Sequence, residues 1–107
     1  MEEMVLNITA DFFKTLGHPA RIKILKLLSA GELCVCDLIP ALELEQSNLS
    51  QHLAVLRRKG IISSRKEGTK VLYRILYPSV LSVLSAVEKT LEEQLSNSHD
   101  LLKHLQE

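Results

Sequence analysis

The sequence contains no tryptophan, and its aromatics (Phe12, Phe13, Tyr73 and Tyr77) amount to 4% of 107 residues. Glycine occurs four times, proline three times and cysteine twice. So little glycine and so few aromatics, set against 21 leucines, favour helices over a β-sandwich or barrel. No apolar run approaches the ~18 residues that a membrane span needs, so no membrane partner is expected. The opening Met1-Glu2-Glu3-Met4 is acidic and lacks the basic-then-apolar pattern of a secretory signal. Two cysteines without such a signal argue against a disulfide scaffold and for a cytoplasmic protein. There is no Gly-rich phosphate loop and no H-E-x-x-H, and the chain is too short for a deep cleft, so an enzyme is not expected. The length is that of one domain, residues 1–107, with a thin core for a monomer. Apolar residues at 46% and charged residues at 24% exclude disorder.

Net charge is also lacking, but only as a sum. Residues 46–77 carry seven basic groups (Arg57, Arg58, Lys59, Arg65, Lys66, Lys70, Arg74) against Glu67 alone, a net of +6, while residues 1–45 and 78–107 each carry −3. A basic middle between acidic ends has the pattern of a local polyanion footprint, the alternative being a chance surface cluster.

Hydrophobic periodicity divides the chain. Ile8, Phe12, Phe13 and Leu16 repeat at helical spacing, ended by Gly17. Pro19 opens a second helix, residues 21–30, with Ile22, Leu25 and Leu28 inward; Gly31 stops it. A short third helix is predicted over Cys34 to Leu42. Its Pro40 is tolerated only if the first turn begins nearby. Ser47 to Lys59 is the clearest helix: Leu49, Leu53 and Leu56 fall within about 60° of arc. After Gly60, two strand-like runs, 61–65 and 71–77, flank a Gly68-containing hairpin connection. Helical spacing returns at Val80, Leu84, Val87, Leu91 and Leu95. A last short helix with Leu101, Leu102 and Leu105 is predicted to enter from Ser96-Asn97-Ser98.

Two short helices, a brief turn and a hairpin describe a winged helix–turn–helix. Opposite its leucines the fourth helix carries Ser47, Gln51, Ala54 and Arg58. This face is short-chained and polar at its amino end, as entry into a major groove requires. Gln51 can pair with adenine N6 and N7, while Arg58 suits phosphate. Ser47, Asn48 and Ser50 suit phosphate contacts or capping. An ordinary amphipathic helix with a polar outer face is the alternative. Arg65, Lys66, Lys70 and Arg74 weigh against it, because they put charge on the hairpin, where a DNA-binding wing would be.

Several runs together resemble one family. Leu16-Gly17-His18-Pro19-Ala20-Arg21, Glu32-Leu33-Cys34-Val35-Cys36-Asp37-Leu38, Ser47-Asn48-Leu49-Ser50-Gln51-His52-Leu53 with Leu56-Arg57, and the hairpin from Arg65-Lys66-Glu67-Gly68 to Tyr73 occur in the order seen in the ArsR/SmtB metalloregulatory repressors. The resemblance covers about residues 8–95. It implies a mainly α, winged helix–turn–helix homodimer with a small β-hairpin, which releases operator DNA when an inducer binds. By the same resemblance, residues 34–59 form the helix–turn–helix and 61–77 the wing. DNA contacts are then expected from Ser47, Asn48, Ser50, Gln51, His52, Arg57, Arg58, Arg65, Lys66 and Lys70. Helices over about 8–17 and 78–95 would form the dimer interface through Phe12, Leu16, Val80, Leu84, Val87 and Leu91. That apolar stripe fits dimerisation on its own terms, with packing inside one chain as the alternative.

Cys34-Val35-Cys36 is by spacing a weak signal, since cysteine is a common buried apolar residue. In a regular helix, positions i and i+2 lie about 200° apart and cannot grip one ion. They can do so only if Cys34 sits before or at the cap and Cys36 in the first turn, where the helix amino end also favours thiolate. The resemblance assigns this stretch to the thiolate box of the family's soft-metal sensors, with arsenic(III), antimony(III) or cadmium(II) as inducer. Arsenic sensors commonly add a third nearby cysteine, but Ile39 stands after Asp37-Leu38 here, and Met1 to Leu33 holds no cysteine. Remaining ligands would come from water, a small thiol, Asp37 or the other subunit. Drawing the two thiolates to one ion is expected to distort the start of the third helix. The family's zinc site on the fifth helix needs an Asp-x-His pair that is missing near Tyr77-Pro78-Ser79-Val80, so no zinc site is expected there. A thiol-oxidation sensor, a repressor without ligand and a helical protein-interaction module are the competing functions. The basic middle argues against the last.

Overall fold

The computed structural model describes residues 2–106 as five helices and three short strands. Helices α1 (Glu2–Leu16) and α2 (Pro19–Leu28) meet at Gly17, whose N–H bonds the Lys14 carbonyl at 3.1 Å. Pro19 sits in the first turn of α2, where its missing N–H has no intrahelical partner to lose. His18 is the N-cap residue by backbone conformation, but its side chain makes no cap hydrogen bond. Then follow β1 (Leu33–Cys34), α3 (Val35–Leu42) and α4 (Gln46–Arg58). The wing strands β2 (Ile62–Glu67) and β3 (Lys70–Ile75) turn through Gly68 at φ 64°, a left-handed conformation that glycine adopts without steric cost. Helix α5 (Ser79–Gln106) closes the described chain.

The core is aliphatic. Ile24, Leu25 and Leu28 of α2, Leu38 and Leu42 of α3, and Leu49, Leu53 and Leu56 of α4 bury together, closed by Leu16, Ile61, Ile62, Val80 and Leu84. Each such burial contributes about 1.5–3 kcal/mol, an upper estimate for a chain with a partly compact unfolded state. The radius of gyration is 17.5 Å, against about 13 Å for a compact domain of this size, because α5 projects. Its 28 residues span about 42 Å.

Several boundaries differ from the sequence reading. The hairpin is part of a three-stranded antiparallel sheet of order β1-β3-β2, with Leu33 opposite Tyr73 and Cys34 opposite Leu72. Helix α1 starts at Glu2 rather than near Ile8. Helix α5 runs unbroken through Ser96-Asn97-Ser98, so no separate last helix exists; the side chain of Leu101 lies outside the described residues. Serine and asparagine each cost a helix only a few tenths of a kcal/mol, too little to stop one already propagating. Pro40 sits in the second turn of α3, not its first, and the helix ends two residues later with Glu43 in the left-handed region at φ 55°. Three of the residues expected at a dimer interface, Leu16, Val80 and Leu84, are buried within the single chain instead, and Phe12 packs partly against the same core.

Candidate functional site

Helix α4 buries its three leucines against α2 and α3, which turns Ser47, Asn48, Ser50, Gln51, Ala54, Arg57 and Arg58 to solvent. Ser47 does not cap the helix: Glu45 is the N-cap residue, in extended conformation and without a side-chain cap bond. Ser47, Asn48 and Ser50 are therefore exposed groups at the helix amino end, whose N–H groups and dipole favour anions. Arg57 reaches the wing, its Nη1 donating to Ser64 Oγ at 3.1 Å.

His52 is half-buried on the flank of α4. Its Nδ1 accepts a hydrogen bond from Arg21 Nε at 3.1 Å, and Arg21 Nη1 donates to the Thr15 carbonyl at 3.0 Å. Burial, then the charges of Arg21 and His18, hold the imidazole pKa below its ordinary value. A neutral His52 thus ties α4 to α2 and to the end of α1. Helical spacing gives no sign of this link.

On the wing, Lys66 and Lys70 are exposed near the tip. Arg65 is not free: Nε and Nη2 donate to the two Glu32 carboxylate oxygens at 2.8 and 2.9 Å, and Nη2 lies 3.1 Å from Glu67 Oε2. The Arg65 hydrogen bond and charge lower the Glu32 pKa, and Glu32 in turn raises that of Arg65.

The cysteines stand where α3 begins. Cys34 is the N-cap residue at φ −88° and ψ 168°, and Cys36 lies in the first turn. Asp37 occupies the third helical position, and its Oδ2 accepts from the Cys34 N–H at 3.2 Å. Cys34-x-x-Asp37 is thus a capping box with cysteine in place of serine, a signal present in the sequence and not read there. The extended cap brings the two Cα atoms to 5.2 Å and joins the two sulfurs in a disulfide. The bridge closes a three-residue loop, a local link and not a scaffold. In the reduced form the Cys34 thiol, 3.2 Å from Asp37 Oδ2, is placed to donate to that carboxylate.

The ligand atoms of Cys34, Cys36 and Asp37 all lie within 4.8 Å of one another, so two soft sulfurs and one oxygen fit a thiophilic ion once the bridge is reduced. Cys34 at the extended cap and Cys36 in the first turn meet the condition under which the pair can grip one ion, because Cys34 stands outside the regular 200° helical spacing. A cleft of about 380 Å³ runs from Cys34 and Cys36 along Val35 and Ile39 to Gln46 at the head of α4 and to Thr69, Lys70 and Val71 at the wing tip. Among the described residues, no helix is long and apolar enough to cross a membrane.

An exposed polar helix packed after a short helix and turn, beside a basic two-stranded wing, defines a winged helix–turn–helix transcription regulator. Residues 18–64 match the bacterial regulatory proteins of the arsR family. An HTH-type transcriptional regulator of Mycobacterium tuberculosis, Rv0081, is 43% identical over 96% of this chain and 91% of its own. Its crystal structure superposes with a TM-score of 0.80 at 42% identity, covering 87% of this chain and 94% of that one. The chain belongs to the ArsR family. The arsenical resistance operon repressor of Escherichia coli is 50% identical over 67% of this chain and 62% of its own. A homodimeric winged helix–turn–helix DNA-binding domain from Mycobacterium bovis, Mb0332, has a TM-score of 0.77 at 29% identity, covering 90% of this chain and 89% of that one.

Proposed function

We propose that the protein is a homodimeric repressor that releases operator DNA when a thiophilic metal or metalloid binds the reduced cysteine pair. In this reading Ser47, Asn48, Ser50 and Gln51 meet the DNA at the head of α4, with Gln51 on a base edge. Arg58, Lys66 and Lys70 meet phosphate. His52 holds α4 in place from behind, and Arg57 braces helix to wing. Val87 and Leu91, exposed on α5, and Phe13, exposed on α1, supply the dimer contact. The homodimeric Mb0332 domain and the arsenical repressor of E. coli support the assembly and the ligand class.

The observation that carries the ligand assignment is the Cys34–Cys36–Asp37 group, whose donor atoms converge at the cap of α3. Arsenite, antimonite or cadmium would be held by the two thiolates, with the Asp37 carboxylate as a third donor. The test is DNA binding by fluorescence anisotropy under reducing conditions, with and without each ion. Cys34→Ser and Cys36→Ser should keep repression and lose release. Equal release by wild type and both variants would place the ion elsewhere; no release by any of them defeats the metal reading.

The disulfide favours a second reading, a thiol switch. Two thiols would pass two electrons and two protons to a two-electron oxidant such as a peroxide, which leaves as water while the S–S bond forms. Release of DNA by peroxide in wild type, absent in either serine variant and reversed by dithiothreitol, would select this reading over the first.

A further inference from the structure

Arg65 counts among the basic groups of the wing, but its guanidinium is already paired with two carboxylates. Glu32 takes two of its N–H groups in a bidentate pair and Glu67 adds a second carboxylate at 3.1 Å, so that even with the Arg74 charge acting on Glu32 the group sums to zero. A phosphate approaching it would meet no surplus positive charge. The positions of the partners matter more. Across the sheet, Cys34 of β1 stands opposite Leu72 of β3, and Leu72 stands opposite Arg65 of β2. Glu32 lies two residues before Cys34, yet its carboxylate reaches the outer wing strand. The segment that enters the cysteine site is thereby joined to the wing twice, by the β1–β3 pairing and by the Glu32–Arg65 pair. Exposed ion pairs generally contribute little, but bidentate geometry and a second carboxylate are the conditions under which one holds its place.

We propose that Glu32 and Arg65 form a tie that positions the wing relative to the cysteine pair, so that Arg65 serves the coupling between inducer and DNA and does not contact phosphate. The proposal rests on the DNA-binding and inducer readings above. Because Cys34 lies at the extended cap, outside the regular helix, a ligand at Cys34 and Cys36 can be held without unwinding α3. A shift of the Cys34 backbone instead passes to β3 through the sheet and to β2 through the tie. Glu32 and Arg65 are positioning residues in this scheme. Lys66 and Lys70 remain the wing's phosphate groups.

The experiment uses the full chain and DNA from its own promoter, with Glu32→Gln, Arg65→Ala and, for comparison, Lys70→Ala. The first readout is the slope of log affinity against log salt. Each lost phosphate contact reduces the slope by about 0.9, so Lys70→Ala in a dimer should lower it by about 2. Arg65→Ala should leave it unchanged. The second readout is the fold-release caused by antimonite, with ion binding followed separately by thiolate absorbance. Glu32→Gln and Arg65→Ala should bind the ion as wild type does and lose most of the release. The double variant should lose no more than either single one, as for two partners in one contact. Hydrogen exchange reads the tie without DNA or ion: wing amides should exchange several-fold faster in Glu32→Gln, with circular dichroism unchanged. A slope lowered in Arg65→Ala as much as in Lys70→Ala overturns the proposal, as does wing exchange identical to wild type. Wild-type protein that does not bind DNA would overturn the function proposed above and leave hydrogen exchange to decide the tie. Release that is absent in wild type would overturn only the inducer assignment.

Discussion

Helices α4 and α5 are both amphipathic, and they finish differently. The apolar face of α4 disappears into its own chain, with Leu49, Leu53 and Leu56 each at most 1% exposed. The apolar face of α5 begins in the core at Val80 and Leu84 and then emerges: Leu91 is 50% exposed, Leu95 71% and Leu105 83%. A helix whose leucines are all covered leaves its polar face as the one available for a partner, and the partner it suits is charged. A helix whose leucines stay uncovered is incomplete as a monomer, and the partner it suits is apolar. The first belongs to the basic middle of the chain and the second to an acidic end.

The largest effect that could break this contrast is salt. If α4 and the wing meet a polyanion, affinity rests on counterion release. With 6–10 phosphate contacts per dimer it should fall by roughly 10³–10⁵ between 50 and 200 mM salt. Anisotropy titrations over that range measure it. A flat response would leave the basic middle without a role.

Next comes the seam on α5. Leu91→Glu should keep the fold and abolish the dimer, since it places a charge in an apolar contact between chains. Binding to a two-half-site operator should then weaken by about 10²–10⁴, the advantage of linked sites. Leu84→Glu should behave differently, because Leu84 is 7% exposed within one chain: the charge enters the core and lowers folding stability by several kcal/mol. Sedimentation and thermal melts separate the two. Dimer loss from Leu84→Glu with an unchanged melt would return Leu84 to the interface.

The same two residues show what the sequence could tell. Val80, Leu84, Val87 and Leu91 form one stripe by spacing, and spacing cannot say where cover stops. That depends on where α2 and the core end in space. The exposed amino end of α1, with Met4, Val5 and Leu6, does not show in the spacing for a related reason: among the described residues nothing covers it to mark a face. The three leucines of α4, the glycine breaks and the wing turn were legible because each is a local event. Strand β1 was not, because two residues have no periodicity and Leu33 and Cys34 become a strand only by pairing with β3. The polar face of α4 followed from its leucines. The Glu32–Arg65 and Arg21–His52 pairs, 33 and 31 residues apart, did not follow from any spacing.

Within the basic middle the contrast sharpens to helix against wing. Gln51→Ala should cost about 1–3 kcal/mol on the cognate site and much less on random DNA, as loss of a base contact does. Lys70→Ala should weaken both alike. Competition assays with the promoter fragment and a scrambled duplex give the two patterns. Identical patterns would mean that helix and wing do not divide base from backbone.

The smallest effect concerns what holds α4 from behind, and its sign follows from His52. Burial and the neighbouring charges of Arg21 and His18 depress its pKa in the folded chain, while in the unfolded chain it titrates near 6.5. Between the folded and unfolded values the unfolded chain binds the extra proton, so stability rises with pH across that window. The contribution of neutral His52 is therefore complete above about pH 6.5 and is lost as pH falls through the depressed folded value. Protonation at Nδ1 also removes the acceptor for Arg21 Nε and so loosens α4 from α2. Thermal melts of wild type and His52→Gln at pH 7.5 and 5.5 isolate this group, because every other titration is common to both proteins. The wild type should lose more stability on acidification than the variant, and its DNA affinity at constant salt should drop further. Equal losses in the two proteins would show that the Arg21–His52 link does not hold α4, and that its leucines alone do.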